Sequence, residues 1–506
     1  MDGFQKRLHA LPPERLRGIR RGIEKESLRV QASGKLALTP HPPALGSALT
    51  HPYITTDFSE AQLEMRTGAH ESVEHCLAEL TQVHQFVYPA IGDELLWVDS
   101  MPCILPAEEV IPIGVYGSSN IGRCKTVYRV GLSHRYGRRM QTISGIHYNW
   151  SMPGVSTDAY FGLIRNFRRH SFLLLYLFGA SPAVCSSFVA GREHGLQSLN
   201  PHTLYLPHST SLRMGRLGYQ SDAQTSLAVS YNSLESYAAS LQEALTVPYP
   251  AYAAIGIRDP GGGYNQLASS LLQIENEFYG TIRPKRVIFP GERPLHALRQ
   301  RGVEYVEVRC LDLNPFLPVG IDMQTIRFLD LLLLHCVLTD SPPDTPEEIA
   351  TLGRNQRLVA ARGREPGLCL TRGSEQVPLA EWGTQVLDGC AAIAEVLDAV
   401  HGGTGYGDAL GATYAALHDP TETPSAQVLA SMASGFDNSY IQFALAQSEK
   451  TKATLLDMPM PMDRETYFRD LVQNSVEEQR EIEAADTEPF ERYLERYLST
   501  SSLMLE

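Results

Sequence analysis

Apolar residues recur at helical spacing in two stretches that lie well apart in the chain. After the polar start at Glu71, one apolar face extends over residues 76–91, and a second extends over residues 326–336. Side chains three and four positions apart share one face of a helix. Both stretches are therefore predicted to be helices that pack against a core.

From about residue 342 onward the pattern becomes strongly helical. Residues 343–362, 378–400 and 425–434 each have a proline or polar start, as helices commonly do. The charged run 477–483 is typical of a solvated helix face. Composition marks no domain boundary. We therefore expect one domain over residues 1–506, with a mostly helical part from about 342.

Four other stretches alternate like strands but carry polar groups where a purely structural strand would carry apolar ones. They are residues 22–29, 54–64, 141–150 and 303–309. Side chains two positions apart share one face of a strand. The pattern predicts an α+β fold, with a mainly antiparallel sheet early in the chain and helices packed around and after it.

The first two of these stretches are rich in carboxylates. Glu24 and Glu26 share one face, and two carboxylates this close repel each other unless a cation lies between them. The second stretch offers Asp57, Glu60 and Glu64. Surface charge is the alternative interpretation, and it fits Glu60 better than the other two.

The other two stretches add a histidine and an arginine. His147 and Asn149 face away from their apolar neighbours, and Glu307 shares a face with Arg309. An arginine beside such a carboxylate suits an enzyme that handles phosphate, because the guanidinium is a charged planar fork of donors. A structural histidine and a cross-strand ion pair are the alternatives.

The coincidence of the four stretches is more informative than any one of them. Burying so many acids without partners would be very costly. Hard divalent cations such as Mg²⁺ are bound by carboxylate oxygens and would offset that cost. The pattern therefore favours a cluster of divalent cations on one face of the sheet.

Composition and charge narrow the classes of function. The 506 residues carry a formal net charge of -14, which argues against nucleic acid as the main partner. The eight cysteines form no CxxC pair and indicate a reducing compartment. The N-terminal residues lack the apolar core of a signal peptide, and the apolar runs 172–180 and 329–338 are too short to span a bilayer. A cytoplasmic protein without membrane contact is expected.

The usual nucleotide and nucleophile motifs are missing from the sequence. It contains no GxxxxGK[ST] loop and no GxSxG elbow. If ATP is used, its phosphates must be held through metals and scattered basic residues. Basic stretches at 123–129, 211–219 and 282–286 could supply them, and the last suggests that Lys285 and Arg286 contact nucleotide.

Several ordered segments resemble the proteobacterial glutamate–cysteine ligase family. They begin at residues 22, 44, 116, 140, 177, 272, 302 and 483, with the sequences GIEKESLRV, ALGSALTHPYITTDFSEAQLE, YGSSNIGR, MQTISGIHYN, LFGASPAVCSSF, LQIENEFYGTIRPKR, GVEYVEVRCLDLNPF and EAADTEPF. The resemblance extends along most of the chain. It implies a glutamine-synthetase-like fold in which a curved antiparallel sheet forms a funnel, with the metals on its inner face.

The resemblance also implies roles for individual residues. The implied magnesium ligands are Glu24, Glu26, Asp57, Glu64, His147 and Glu307. Arg309 corresponds to a phosphate contact, and Arg129 and Arg213 to residues near the substrate carboxylates and the reaction centre. The implied cysteine pocket is formed by Phe58, Tyr128, Leu132, Gln141, Tyr219 and Tyr279. The chain departs from the family in a shorter segment after Trp150 and at Cys124 and Arg66.

The implied reaction is the ATP-dependent joining of the γ-carboxylate of glutamate to the amine of cysteine. It proceeds through γ-glutamyl phosphate and is the first step of glutathione synthesis. Mg²⁺ is the implied metal, with Mn²⁺ as an alternative. Glutathione is an expected feedback inhibitor, and a monomer is expected. The rival hypotheses are a γ-glutamyl ligase for another amine, a metal-dependent hydrolase and a non-catalytic sensor.

Overall fold

A computed structural model describes residues 3–218, 222–225, 227–289 and 291–503 of the chain. Antiparallel strands form its sheets. In chain order the strands are β1 (Arg20–Val30), β2 (Ile54–Thr56), β3 (Gln62–Arg66), β4 (Leu95–Leu96), β5 (Ile146–Ser151), β6 (Ala183–Cys185), β7 (Gln197–Asn200), β8 (Thr203–Tyr205), β9 (Ile282–Lys285), β10 (Tyr305–Leu311), β11 (Cys369–Arg372) and β12 (Glu375–Pro378).

Helices surround the sheets and make up most of the C-terminal part. In chain order they are α1 (Gly3–His9), α2 (Pro13–Arg17), α3 (Val73–Ile91), α4 (Asn120–Tyr136), α5 (Thr157–Phe178), α6 (Asp222–Thr225), α7 (Leu234–Thr246), α8 (Pro250–Ile255), α9 (Pro294–Arg301), α10 (Met323–Leu338), α11 (Pro346–Arg362), α12 (Leu379–His401), α13 (Gly405–His418), α14 (Pro424–Gly435), α15 (Tyr440–Asp457), α16 (Met462–Ala485) and α17 (Phe490–Leu498). Within the described part, no helix is both long enough and apolar enough to cross a membrane.

The main sheet of the described residues has the strand order β2-β3-β1-β5-β10-β9, and β4 pairs with the end of β1. One of its faces is apolar and belongs to the core. Ile23, Tyr148, Trp150, Val306 and Val308 lie on this face and are buried. The face packs against α3 and α5. Because side chains alternate along a strand, the intervening residues form the opposite, polar face.

The predicted α+β class, with a mainly antiparallel sheet and helices around it, is confirmed. The predicted helices are present as α3, α10, α11, α12 and α14. Two strand boundaries differ from the prediction. Residues 57–61 form a turn between β2 and β3, and residues 140–142 form a 3₁₀ helix, so that β5 begins only at Ile146.

The end of the chain returns to the start of α4. Asn120 Nδ2 donates to Asp486 Oδ1 at 2.6 Å and to the carbonyl of Glu488 at 2.7 Å. The amide of Ser118 donates to Glu483 Oε1 at 2.8 Å. These acceptors belong to the EAADTEPF segment. That segment therefore bonds the N-terminus of a helix that lies more than three hundred residues earlier in the sequence.

A buried ion pair links the apolar face of the sheet to α10. Arg21 Nη2 lies 2.9 Å from Asp330 Oδ2, and both side chains are almost completely buried. Tyr148 and Tyr406 donate hydroxyl hydrogen bonds to Asp330 at 2.8 Å and 3.2 Å. Removing one member of such a pair leaves the other charge buried and uncompensated.

We expect Asp330→Ala to lower the free energy of unfolding by about 3 to 5 kcal/mol. Urea denaturation followed by circular dichroism measures this change. Glu465→Ala, which removes the exposed pair with Arg469 on α16, is the control and should cost less than about 0.5 kcal/mol. Equal effects of the two substitutions would contradict the expectation.

Candidate active site

Backbone register brings the predicted acids together on the polar face of the main sheet. Glu26 lies opposite Glu64 in the β1–β3 pairing, and Glu24 lies opposite His147 in the β1–β5 pairing. Asn149 lies opposite Glu307 in the β5–β10 pairing. Residues directly opposite each other in an antiparallel pair share one face of the sheet. The structure thus brings the groups from all four stretches to a single surface.

Three of these side chains form a compact group that could hold a metal ion. Ligand atoms of Glu24, His147 and Glu307 all lie within 4.8 Å of one another. His147 Nδ1 is 3.3 Å from Glu24 Oε2 and 3.9 Å from Glu307 Oε1. Asn149 Nδ2 donates to Glu24 Oε1 at 3.0 Å. Two carboxylates and an imidazole therefore converge on one point.

The electrostatics keep this group in the protonation states that bind cations. Burial raises the pKa of Glu24, but the interactions with His147 and Lys285 together outweigh burial, so that the pKa falls to about 2. Burial likewise opposes ionisation of Glu307, yet Lys285 and Arg309 hold its pKa well below the usual range. Burial and Arg309 lower the pKa of His147, which favours the neutral imidazole.

The donor set fits a divalent cation. Asn149 Oδ1 is buried and accepts no hydrogen bond from the described residues, whereas Glu307 Oε2 has an ionic partner in Arg309. Buried oxygens without partners are costly, and a bound ion is one explanation for them. Carboxylate oxygens suit Mg²⁺ and Mn²⁺, and an imidazole adds affinity for transition metals.

A second acidic group adjoins the first at the β2–β3 side of the sheet. It consists of Glu26, Asp57 and Glu64. Glu26 Oε2 accepts from the amide of Gly145 at 2.8 Å. Burial, reinforced by Asp57 and Glu64, raises the pKa of Glu26 well above its usual range. Arg66 Nε donates to Glu64 Oε1 at 2.6 Å, so this carboxylate already has a cation as its partner.

Basic side chains border the acidic face at β9 and β10. Arg309 Nη1 lies 3.0 Å from Glu307 Oε2, and Lys285 Nζ lies 3.3 Å from Glu307 Oε1. Arg283 stands opposite Glu307 in the sheet. Arg286, by contrast, contacts Glu304 and the carbonyl of Arg301. Lys285 therefore lies against the acidic face, whereas the contacts of Arg286 are with other residues.

A cavity of about 380 Å³ lies beside these basic residues. Arg213 and Arg309 line it on the side of the sheet, and Arg168, Arg354 and Arg357 line it on the side of α5 and α11. Several cations around one cavity in a protein of net negative charge indicate an anion-binding site.

The residues predicted for the cysteine pocket are brought together around α4. Phe58 and Leu132 are buried in one hydrophobic cluster, and Tyr128 and Tyr279 pack against it. Gln141 Nε2 donates to the hydroxyl of Tyr279 at 3.0 Å. Tyr219, the remaining predicted member, lies outside the described residues.

Arg129 connects this pocket to the acidic face. Its Nε donates to the carbonyl of Asp57, and its guanidinium lies 4.4 Å from the ring centre of Tyr116. Lys125, one turn earlier on α4, lies 5.3 Å from the same ring centre. Burial, together with Arg129 and Arg66, lowers the pKa of Lys125 to about 8. Two cations of α4 thus gather near the second acidic group.

Sequence reasoning did not assign several residues of this region to the site. Arg66 could have been found, because it lies two positions after Glu64 and so shares its face of β3. Lys125 lies one helical turn before Arg129, which is a weaker signal. Asp312, whose Oδ1 lies 3.6 Å from Arg213 Nη1, carries no signal of its own in the sequence. Glu60 proves structural, since its carboxylate accepts from the amides of His41 and Val115.

The fold and the site together define an α+β enzyme with an acidic sheet face, which could hold a cation, beside an arginine-lined cavity. Metal ions and arginines side by side are the groups that neutralise a transferring phosphoryl group. The particular family follows from comparison with known proteins.

A family model described as glutamate-cysteine ligase matches residues 7–359. The glutamate–cysteine ligase of Alcanivorax borkumensis is 47% identical over 98% of this chain and 99% of its own length. That of Pseudomonas putida is 49% identical over 94% of each chain. A crystal structure of the enzyme from Francisella tularensis in complex with AMP has a TM-score of 0.91, with 36% identity over 96% of this chain and 98% of that one.

The chain belongs to the glutamate–cysteine ligase family. The family predicted from the sequence and the predicted class of enzyme, a ligase, are thereby confirmed. The alignment covers nearly the full length of these relatives. It therefore includes the C-terminal helices as well as the acidic strands.

We expect Arg66→Met to increase the number of Mn²⁺ ions bound per chain. Without the guanidinium, the negative charge of the second acidic group is less compensated, so that this group can bind an additional divalent ion. Mn²⁺ titration followed by electron paramagnetic resonance measures the number bound. Arg66→Lys keeps the positive charge and should bind as many ions as the unmodified protein. An unchanged count in Arg66→Met would refute this role for Arg66.

Proposed function

We propose that the polar sheet face is the catalytic centre for the ATP-dependent joining of glutamate to cysteine. The observation that carries the proposal is the convergence of Glu24, His147 and Glu307 within 4.8 Å, with Arg309 only 3.0 Å from Glu307. These three residues would hold Mg²⁺, or Mn²⁺ in its place. Glu26 and Glu64, which are opposite each other in the β1–β3 pairing, and Asp57 in the adjoining turn extend the predicted set of ligands.

The metal would supply charge neutralisation for the phosphoryl oxygens of ATP. The chain's own cations complete that task. Arg309 and Arg213 line the cavity beside the acidic face, and their guanidinium groups can donate to oxygens of a transferring phosphoryl group. Lys285 lies on the same edge, which supports its predicted contact with nucleotide. For Arg286 that role rests on charge alone, since its contacts lie elsewhere.

The amino-acid substrates would occupy the side of the site formed by α4. Phe58, Tyr128, Leu132 and Tyr279 offer an apolar, aromatic wall of the kind that selects a small thiol side chain by shape. Gln141 fixes the hydroxyl of Tyr279. Tyr219 remains a predicted member of this pocket. Arg129 would pair with a substrate carboxylate at the junction with the acidic face.

In the reaction, the γ-carboxylate of glutamate attacks the γ-phosphate of ATP, giving γ-glutamyl phosphate and ADP. The amine of cysteine then attacks the acyl carbon, and phosphate leaves with the electron pair of the acyl–oxygen bond. The arginines of the cavity orient the phosphoryl group, and the aromatic wall holds the amine near the acyl carbon. Exclusion of water protects the acyl phosphate from hydrolysis.

The remaining expectations follow from this function. We propose that residues 1–506 act as one catalytic unit, because the segment around Asp486 bonds the first turn of α4, which carries the proposed pocket residues. We also expect a cytoplasmic monomer that glutathione, the end product of the route, inhibits. A ligase for a different amine keeps the same ligands and differs only in its pocket. A hydrolase would not need the arginine-lined cavity.

The substrate assignment is tested by following ADP release from ATP and Mg²⁺ with glutamate, with and without cysteine. We expect release that depends strongly on cysteine, together with the formation of γ-glutamylcysteine. If ADP release depends on another amine instead, that amine and not cysteine is the acceptor substrate. No release under any of these conditions would contradict the ligase function.

The metal assignment predicts that Glu307→Ala abolishes ATP turnover while the protein stays folded. Loss of this carboxylate removes one of three converging ligands and leaves Arg309 and Lys285 without their shared partner. Steady-state ADP release and thermal melting measure the two properties. Glu375→Ala, at the exposed tip of the β11–β12 hairpin, should leave turnover unchanged. Near-normal turnover in Glu307→Ala would refute the assignment.

A further inference from the structure

Arg213 is a buried arginine at the edge of the proposed catalytic centre. Its side chain is only 1% exposed, although it lines the cavity together with Arg309. Its Nη2 donates to the carbonyl of Arg309 at 2.8 Å. Burying a guanidinium is costly unless a counter-charge compensates it. A carboxylate partner is Asp312, just after β10, with Oδ1 at 3.6 Å from Nη1.

Asp312 is itself fixed by hydrogen bonds from two separate segments of the chain. The Ser181 hydroxyl and the amide of Ala180 donate to Oδ2 at 2.6 Å and 2.9 Å. The Ser211 hydroxyl donates to Oδ1 at 3.0 Å. These donors hold the carboxylate in one orientation, so that its charge has a defined position relative to Arg213.

The guanidinium of Arg213 packs against the backbone of Gly145. A Cβ at this position would lie 2.0 Å from Arg213 Nη2 and 2.5 Å from Cζ. The guanidinium therefore packs directly against a backbone without a side chain. The amide of the same Gly145 donates to Glu26, so one residue contacts both the acidic face and the arginine.

We propose that Asp312 is a positioning residue that holds the guanidinium of Arg213 in place for the reaction. The proposal rests on the catalytic centre proposed above. It assigns a role to two segments that contribute no other residue to the proposed site. They are LFGASPAVCSSF, which contains Ser181, and the end of GVEYVEVRCLDLNPF, which contains Asp312. A donor that is already in place needs no reorganisation when charge develops in the transition state.

The first test is a double-mutant cycle on turnover. Asp312→Asn should lower kcat by about 10- to 100-fold, because the arginine loses its counter-charge and shifts, while the KM values change little. In an Arg213→Gln background the same substitution should change kcat by less than about twofold, since the residue it positions is gone. Near-normal kcat in Asp312→Asn, or an equal loss in both backgrounds, would overturn the proposal.

The matched control is Asp99→Asn. Asp99 is buried near Asp312, and burial and Asp312 raise its pKa well above the usual range, so that an amide resembles its neutral form. This variant should retain the kcat of the unmodified enzyme. Thermal melting of all variants shows whether a loss of kcat comes from misfolding or from a displaced arginine in a folded protein. A loss in Asp99→Asn as large as in Asp312→Asn would show a general effect of buried polarity and would overturn the proposal.

A second measurement does not depend on turnover. Phenylglyoxal labels accessible arginines, and peptide mapping by mass spectrometry gives the labelling rate of Arg213. We expect Arg213 to be labelled several-fold faster in Asp312→Asn than in the unmodified protein, because the released guanidinium turns into the cavity. Equal rates would overturn the positioning role. Failure of the ligase function would appear separately, as absent ADP release in the unmodified enzyme.

Discussion

The constraint on which the rest of the structure depends is the mutual repulsion of carboxylates gathered on one face of a sheet. Glu24, Glu26, Glu64 and Glu307 are set on that face by backbone register, and no side-chain motion can separate them widely. Like charges at such spacing destabilise a fold unless cations intervene. Arginine and lysine side chains of the protein compensate part of this negative charge. The spacing of the ligand atoms would allow a divalent ion to compensate the rest.

The same alternation that concentrates charge on one face concentrates apolar area on the other. Ile23, Tyr148, Trp150 and Val308 alternate with the site residues along the same strands and are buried against helices. The core therefore restrains these positions, because Glu24, His147 and Glu307 each have a buried apolar residue as a chain neighbour. A site on strands with a packed reverse face needs little reorganisation when substrates bind.

The local part of this arrangement could be predicted from the sequence, and the long-range part could not. Strand alternation is enough to place Glu24 with Glu26 and Glu307 with Arg309. The pairing of Glu26 with Glu64 depends on register between separate strands, which alternation does not fix. Asp312 and its serine donors come together only in the fold. The resemblance to a family supplied the pocket residues of α4, since neither burial nor spacing distinguishes Tyr128 or Leu132 from other core positions.

The hydrogen bonds between Asn120 and Asp486 join residues 366 positions apart. During synthesis, the helix that carries Tyr128, Arg129 and Leu132 leaves the ribosome long before the segment that bonds its first turn. Contacts between residues far apart in the sequence cost more chain entropy to close, and this one cannot form before the segment around Asp486 has been made. The wall of the proposed substrate pocket thus acquires this support only after Asp486 has been added, and a chain terminated before that residue carries α4 without it.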